Sequence, residues 1–493
     1  MTEHLHDGAC PGIDEGLAEA TRLFRRIHTG WRDRPLTPRD AWREEHLDQT
    51  LGEAGVGIAE AVRDFERWIL PGAVGAPDPR YMGLVNSSPL PAGPMADLLV
   101  SALDNNASTD HQAPSALAAE REVIRLFGRL FLGRDDADGM SLHGGSLATL
   151  QAILHARARA FPAWEREGPP AVDGRPALYV SDTTHLSGAR AAHAAGIGRE
   201  GVRRVPTTGR GAMDPDALTS MMRRDRATGW TPFAVIATAG TTGTGAIDPL
   251  EAVADIAGTE NVWLHVDACY GGGAILVPEL RPRLRGIARA DSVAVDPHKW
   301  FFAPLTSSLL LLQPGRAGSA PFDIDAPYIA DTDRTAPWRR GIATSRRAVG
   351  LALWMMLRAH GLGTIRHAVK ANIRLARRLE RRLSQSGFDV LPDGELSVVC
   401  ARAEPAWMSS DELDELQARI AASVVDQDRA WISTVNHAGR TWLRMNILNL
   451  STDDAIVDDV ASAIAETADR MAADPSWRAA RGASPPEGAR GTR

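Results

Sequence analysis

Hydrophobic and polar positions change their period along the chain, and each change predicts an element. From Ile13 to Ile69 the spacing is helical: Leu17, Leu23, Phe24 and Ile27 recur on one face, with Pro35 and Pro38 as breaks. Residues 71–94 are rich in glycine and proline and read as an irregular connector, followed by helical text over 94–103 and 115–132. A helix over 146–160 follows the pair Gly144-Gly145, and the pattern then alternates. Short apolar runs at 177–181, 233–237, 262–266, 292–295 and 307–312 predict strands, and 189–195, 214–225 and 249–257 predict helices between them. Such alternation implies an α/β domain whose mostly parallel sheet is buried on both faces.

A long helical stretch from Arg346 to Ser384 follows, apolar at Leu351, Leu353, Trp354 and Leu357 and basic from Arg366 to Arg382. A second, smaller α/β section is predicted from strands at 388–391, 397–400, near Trp431 and 442–447, with helices at 410–424 and 452–472. The expected organisation is an N-terminal helical segment (1–80), a large α/β domain (81–360), a small C-terminal α/β domain (361–475) and a disordered Pro/Gly/Arg tail (476–493).

Composition narrows the function. The 493 residues are 44% hydrophobic and 24% charged, enough for a large core in two or three domains. A formal charge of −7 argues against a generic nucleic-acid partner. Cys10, Cys269 and Cys400 are scattered, form no metal-ligand pairs and read as reduced thiols. The opening MTEHLHDGACPG lacks a basic region followed by an apolar one, and the leucine run 309–312 is too short for a bilayer. The expectation is a cytoplasmic protein with no metal and no membrane or nucleic-acid partner.

Lysine is scarce: only Lys299 and Lys370 occur among 55 basic residues. A lysine amine can lose its proton and attack an aldehyde, whereas a guanidinium stays protonated. Lys370 lies in the basic helical stretch and reads as a solvated surface residue. Lys299 lies in Asp296-Pro297-His298-Lys299-Trp300, just past the run 292–295. Two other run ends carry matching chemistry: the turn Gly240-Thr241-Thr242 after Ala237, and Asp267 after Val266. In parallel sheets ligands sit beyond the carboxyl ends of the strands. A lysine, a carboxylate and a threonine-rich turn on one such edge suit a cofactor with an aldehyde and a basic ring nitrogen.

These motifs make the chain similar to the pyridoxal-phosphate-dependent group II amino-acid decarboxylases, typified by aromatic-L-amino-acid and glutamate decarboxylases. The resemblance runs from about Pro79 to Ile464 and rests on His265-Val266-Asp267-Ala268, Asp296-Pro297-His298-Lys299-Trp300, Gly144-Gly145-Ser146, Ser181-Asp182-Thr183-Thr184-His185 and Gly240-Thr241-Thr242. It implies PLP fold type I, the aspartate-aminotransferase-like fold with a mostly parallel seven-stranded sheet, and a homodimer with the site at the interface. Lys299 would bind pyridoxal phosphate covalently, Asp267 would pair with the ring nitrogen, and His185 would stack over the ring. The His185 ring also has a plainer role open to it, capping the next helix. Gly145 and Ser146 open a helix whose free N–H groups suit the phosphate, and Thr242 and His298 would complete the cofactor's hydrogen bonds. Many family members have asparagine where this chain has Asp296, so Asp296 is left out of the cofactor contacts. A carboxylate there needs to face away, accept backbone N–H bonds or pair with an arginine.

The resemblance also implies a reaction. Tyr328, in Phe322-Asp323-Ile324-Asp325-Ala326-Pro327-Tyr328, matches a tyrosine on a mobile loop from the neighbouring subunit that protonates the carbanionic intermediate; phenylalanine there goes with oxidative deamination. Tyr328 therefore favours simple decarboxylation. Leu84 and Val85, with Ser87 and Ser88 as small polar contacts, lean toward an apolar or aromatic amino acid. Alternatives are a carrier-tethered amino acid, an aldehyde synthase, an aminotransferase, a lyase or a non-catalytic cofactor-binding scaffold.

Overall fold

The computed structural model describes residues 12–31, 34–37, 47, 51–169, 174–316, 321–322 and 335–474. Tyr328 and the C-terminal tail lie outside these residues. The large sheet has seven strands: β1 (Asp138–Leu142), β2 (Arg175–Ser181), β3 (Val202–Val205), β4 (Trp230–Thr238), β5 (Trp263–Asp267), β6 (Ser292–Val295) and β7 (Ser308–Leu312). Their order is β1-β7-β6-β5-β4-β2-β3. Strands β3, β2, β4, β5 and β6 pair in parallel, while β7 runs antiparallel to both β6 and β1.

Alternation along the strands divides the core into two layers, as the two-residue period of a pleated strand requires. Tyr179, Val235, Val266, Val293 and Leu311 belong to one cluster, which also takes Leu218 and Val253 from helices Pro215–Ala227 and Leu250–Glu260. Leu178, Val180, Ile236, Ala294 and Leu310 belong to the other, under helices Gly145–Ala160 and Leu186–Ala194. Both faces are covered, and the apolar runs therefore show no polar side.

Two strands escape the sequence reading, β1 and β3. Both are sheet edges with short, weakly apolar sequences, DGMSL and VRRV. In β3, Arg203 bonds Asp225 and lies over the Trp230 ring, so a strand position held by charge carries no hydrophobic signal.

The helix Val349–Gln385 spans the predicted stretch, broken by a non-helical Gly361 at φ 69°. It leads to a four-stranded antiparallel sheet of β8 (Asp389–Val390), β9 (Val398–Arg402), β10 (Ser433–His437) and β11 (Arg440–Asn446), in the order β8-β9-β11-β10. Helices Ser410–Asp426 and Asp454–Ala472 pack on it through Leu416, Ile420, Val457 and Ile464. The strand expected near Trp431 is β10, and Trp431 itself lies just before it, bridged to Tyr81 with their rings stacked at 4.6 Å. Lys370 lies exposed beside Glu279 at 2.9 Å, as a solvated helix face implies.

Candidate active site

The parallel strands all point their carboxyl ends to one edge, and a cavity of about 260 Å³ lies there. The chain reaches it by short steps from strand exits: Gly144–Ser146 after β1, His185 after β2, Thr238–Thr242 after β4, Asp267 at the end of β5, and Asp296–Lys299 after β6. Of the residues singled out in the sequence, Gly145, Ser146, His185, Thr242, Asp267, His298 and Lys299 all line it.

At the β1 exit, Gly144 stands at φ 105°, outside the range of ordinary side-chain-bearing residues, and begins the helix without a side-chain cap. The first-turn N–H groups of Gly145 and Ser146 are left without intrahelical partners, the arrangement that suits an anion. Gly145 is tightly enclosed: a Cβ there would meet Cys269 Sγ at 2.5 Å and both Asp296 carboxylate oxygens at 2.9 Å.

His185 caps the helix Leu186–Ala194, its Nδ1 accepting from the Ser187 backbone N–H at 3.3 Å. Capping thus fixes the ring beside the cavity. Burial lowers its pKa, against the opposing pull of Asp267.

Asp267 is buried and accepts from the Cys269 backbone N–H at 3.0 Å. His298 is anchored through Nδ1 to the Ser307 carbonyl at 2.6 Å, and burial lowers its pKa. Lys299 Nζ lies 2.9 Å from Asp296 Oδ2. Desolvation disfavours the Lys299 charge, but Asp296 and Asp267 outweigh it and the pKa stands above the ordinary lysine value.

Two expectations are placed differently. Leu84 is half exposed and Ser87 donates its hydroxyl to the His298 carbonyl at 3.0 Å; neither forms part of the cavity lining. Among the described residues the Asp296 carboxylate takes no arginine: it faces Lys299 and accepts from the Ser308 hydroxyl.

Residues that the sequence did not single out for the site also line the cavity, among them His143, Cys269 and Tyr270. Tyr270 stacks on Trp300 at 5.4 Å and places its hydroxyl 2.8 Å from Ser397 Oγ, tying the cavity floor to the small sheet. Its place three residues after Asp267 was the available signal. Burial raises its pKa to about 12.

The pyridoxal-dependent decarboxylase conserved domain matches residues 42–404, well over half of the chain. The chain belongs to this family. Among relatives of this decarboxylase, human cysteine sulfinic acid decarboxylase is 33% identical over 410 residues, covering 79% of this chain and 78% of the relative. The aromatic-L-amino-acid decarboxylase of Bacillus atrophaeus is 29% identical over 413 residues, covering 82% and 84%. Among solved structures, mouse CSAD superposes with a TM-score of 0.86 at 26% identity, over 93% of this chain and 99% of that one. Oryza sativa TDC with PLP and tryptamine gives 0.88 at 24% identity, over 94% and 99%, which bears on the fold. The decarboxylase thus has PLP fold type I and uses pyridoxal phosphate in carboxy-lyase chemistry. The anion-ready helix start, the buried Asp267 carboxylate and the single amine in the cavity lining fit that cofactor. No described helix is long and apolar enough to cross a membrane.

Proposed function

We propose that the chain removes the α-carboxyl group of a free L-amino acid as carbon dioxide and releases the amine, with an apolar or aromatic side chain favoured. The observation that carries this reading is the convergence of Lys299, Asp267 and His185 on one cavity beside the uncapped start of a helix. When bound, pyridoxal phosphate supplies an aldehyde and an electron-accepting ring. On this reading Lys299 provides the amine that holds the aldehyde, and Asp267 keeps a proton on the ring nitrogen. His185 covers the ring and meets the substrate carboxylate. Gly145 and Ser146 bind the phosphate through backbone N–H groups, with Thr242 and His298 completing the hydrogen bonds. Tyr328 delivers the proton to the carbon that has lost its carboxylate.

Lys299→Ala is expected to abolish both turnover and the visible absorbance of the holoenzyme; retention of both would refute the assignment. Incubation with a panel of amino acids, reading carbon dioxide, amine and peroxide together, tests the reaction and the substrate. Tyr328→Phe is expected to replace amine with aldehyde, ammonia and peroxide. Undiminished amine as the sole product would remove Tyr328 from the protonation step.

The apolar preference rests on the sequence position of Leu84 and Val85, which lie outside the cavity lining, as does Ser87, whose hydroxyl donates to the His298 carbonyl. One observation favours an acidic side chain instead. Arg444 donates through Nε to the Thr242 carbonyl at 2.9 Å, yet its buried Nη2 has no hydrogen-bond partner among the described residues. A buried unpaired guanidinium N–H is costly, and an acidic group would satisfy it, although Arg444 itself is not part of the cavity lining. Preferred turnover of cysteine sulfinate or glutamate over aromatic amino acids in the panel would select this second reading.

We also propose a cytoplasmic homodimer. Helix Ala92–Leu103 leaves Met95, Leu98, Leu99 and Leu103 exposed, and Leu147, Leu186 and Leu305 are exposed as well. Apolar surface of this extent supports a covering partner. Light scattering tests it, with a mass near 106 kDa expected from twice the 53.0 kDa chain.

A further inference from the structure

Asp296 is buried, and its surroundings explain why a carboxylate is tolerated there. Its Oδ2 lies 2.9 Å from Lys299 Nζ and 3.6 Å from His298 Nε2, while its Oδ1 accepts the Ser308 hydroxyl. The pairing has a local basis, because the Lys299 backbone N–H also donates to the Asp296 carbonyl at 2.9 Å, closing a turn across three residues. Ser308 reaches Asp296 because β7 is antiparallel and begins at the edge where β6 ends. Gly145 also leaves room for the carboxylate that any Cβ would remove.

From this geometry we propose that Asp296 is a positioning residue that holds Lys299 as an ammonium ion before an aldehyde is captured, and so governs when the lysine becomes a nucleophile. The proposal deepens the reading above, in which Lys299 takes up the cofactor's aldehyde. The other groups facing the pair do not replace Asp296. Asp267, at the β5 exit, adds attraction of the same sign, but the 2.9 Å contact is to Asp296. His185 and His298 are both driven toward the neutral form by burial, so neither supplies a competing cation. Burial also raises the Cys269 thiol well above its usual value, so it stays protonated. The uncapped start of helix Gly145–Ala160 lies beside the carboxylate.

Condensation of an amine with an aldehyde forms a C=N bond, breaks the C=O bond and releases water whose two hydrogens come from the nitrogen. An ammonium must therefore first lose one proton to solvent. An ion pair that stabilises the ammonium shifts this loss to higher pH.

The scarcity of lysine makes the test direct. Competitive labelling of the apoprotein with acetic anhydride across pH, read by mass spectrometry after digestion, reports Lys299 and the exposed Lys370 in the same sample. In Asp296→Asn the midpoint of Lys299 reactivity is expected to fall by at least about one pH unit, a tenfold change in the free-amine fraction, while Lys370 is unmoved. Asp296→Glu should retain the high midpoint. Equal midpoints in wild type and Asp296→Asn would overturn the proposal. Should Asp296→Asn not fold by circular dichroism, the wild type decides, because a Lys299 midpoint at or below that of a free side chain (~10.4) overturns it as well.

A second measurement mixes apoprotein with pyridoxal, which lacks the phosphate and so avoids any change in anion repulsion. Its visible absorbance at pH 7 should rise roughly tenfold faster in Asp296→Asn; an unchanged or slower rate counts against Asp296. A labelling shift in a protein that develops no visible absorbance with pyridoxal phosphate would retain the role of Asp296 and reject the cofactor role of Lys299.

Discussion

His185 and Ser187 are joined twice: the Ser187 backbone N–H donates to His185 Nδ1 at 3.3 Å, and the Ser187 hydroxyl lies 2.8 Å from the same nitrogen. With Nδ1 occupied as an acceptor, the proton of the neutral ring belongs on Nε2, and the ring cannot turn without uncapping its helix. His185→Ala should then have two separable effects. Loss of the cap is expected to lower stability by about 0.5–2 kcal/mol, and loss of the ring to lower kcat by roughly 10²-fold or more. Thermal unfolding and steady-state kinetics read them separately. His185→Asn, which can restore the cap, should recover the stability and leave kcat low. Recovery of both would make His185 a capping residue only.

Gly145 tests the helix start as an anion cradle. An added Cβ would meet Cys269 Sγ and Asp296 at distances that require something to move. Gly145→Ala is expected to weaken cofactor binding by about tenfold or more, the loss of a single charge-assisted hydrogen bond. The apoprotein should still fold, since the site lies beyond the sheet core. Titration with pyridoxal phosphate measures the affinity, and wild-type binding would show that the phosphate lies elsewhere.

Arg346 and Glu120 form a buried pair that braces the edge strand β1. Arg346 Nη2 meets Glu120 Oε1 at 2.8 Å and the Ser141 carbonyl at 2.9 Å, while Glu120 accepts the Ser141 N–H at 3.0 Å. Removing one member leaves a buried charge uncompensated, at a cost of about 3–5 kcal/mol. Arg346→Met should lower the thermal midpoint, and the double variant with Glu120→Gln should recover part of the loss. If the double variant is less stable by the sum of the single changes, the two residues are not coupled.

His265 should contribute an acid limb to stability. It is buried within β5 with Nδ1 2.9 Å from Ser292 Oγ, and desolvation lowers its pKa from 6.5 to about 4. Between those values the unfolded chain binds a proton that the folded chain does not. The stabilisation is therefore present above pH 6.5 and is lost as pH falls toward 4, on the order of 3 kcal/mol in all. Asp248 acts oppositely: burial raises its pKa to about 6, so protonation on acidification favours the folded form. Calorimetry of wild type and His265→Asn at pH 7.5 and 4.5 isolates the histidine. The wild type should lose more stability on acidification than the variant, and parallel losses would assign the limb to other groups.

Five of the cavity residues, His185, Thr242, Asp267, His298 and Lys299, were legible because they follow continuous apolar runs whose exits a parallel sheet gathers on one edge, whereas Gly145 and Ser146 were legible from the glycine pair that opens a helix. Periodicity is a local property: Leu178 and Tyr179 serve opposite core layers, and their neighbours in sequence suffice to show it. The sequence by itself therefore determined the strand and helix alternation, the family motifs and the residues that meet at the site. It did not determine β1 or β3, whose edge positions leave them weakly apolar, nor the strand order, which follows from packing between residues far apart in the chain. The partner of Asp296 was likewise hidden. Lys299 is three residues away, but Ser308 arrives only because β7 runs against its neighbours, and the placement of Ser87 on the His298 carbonyl spans 211 residues. Such contacts are selected by burial and hydrogen-bond satisfaction in the assembled core, and only the tertiary structure decides them.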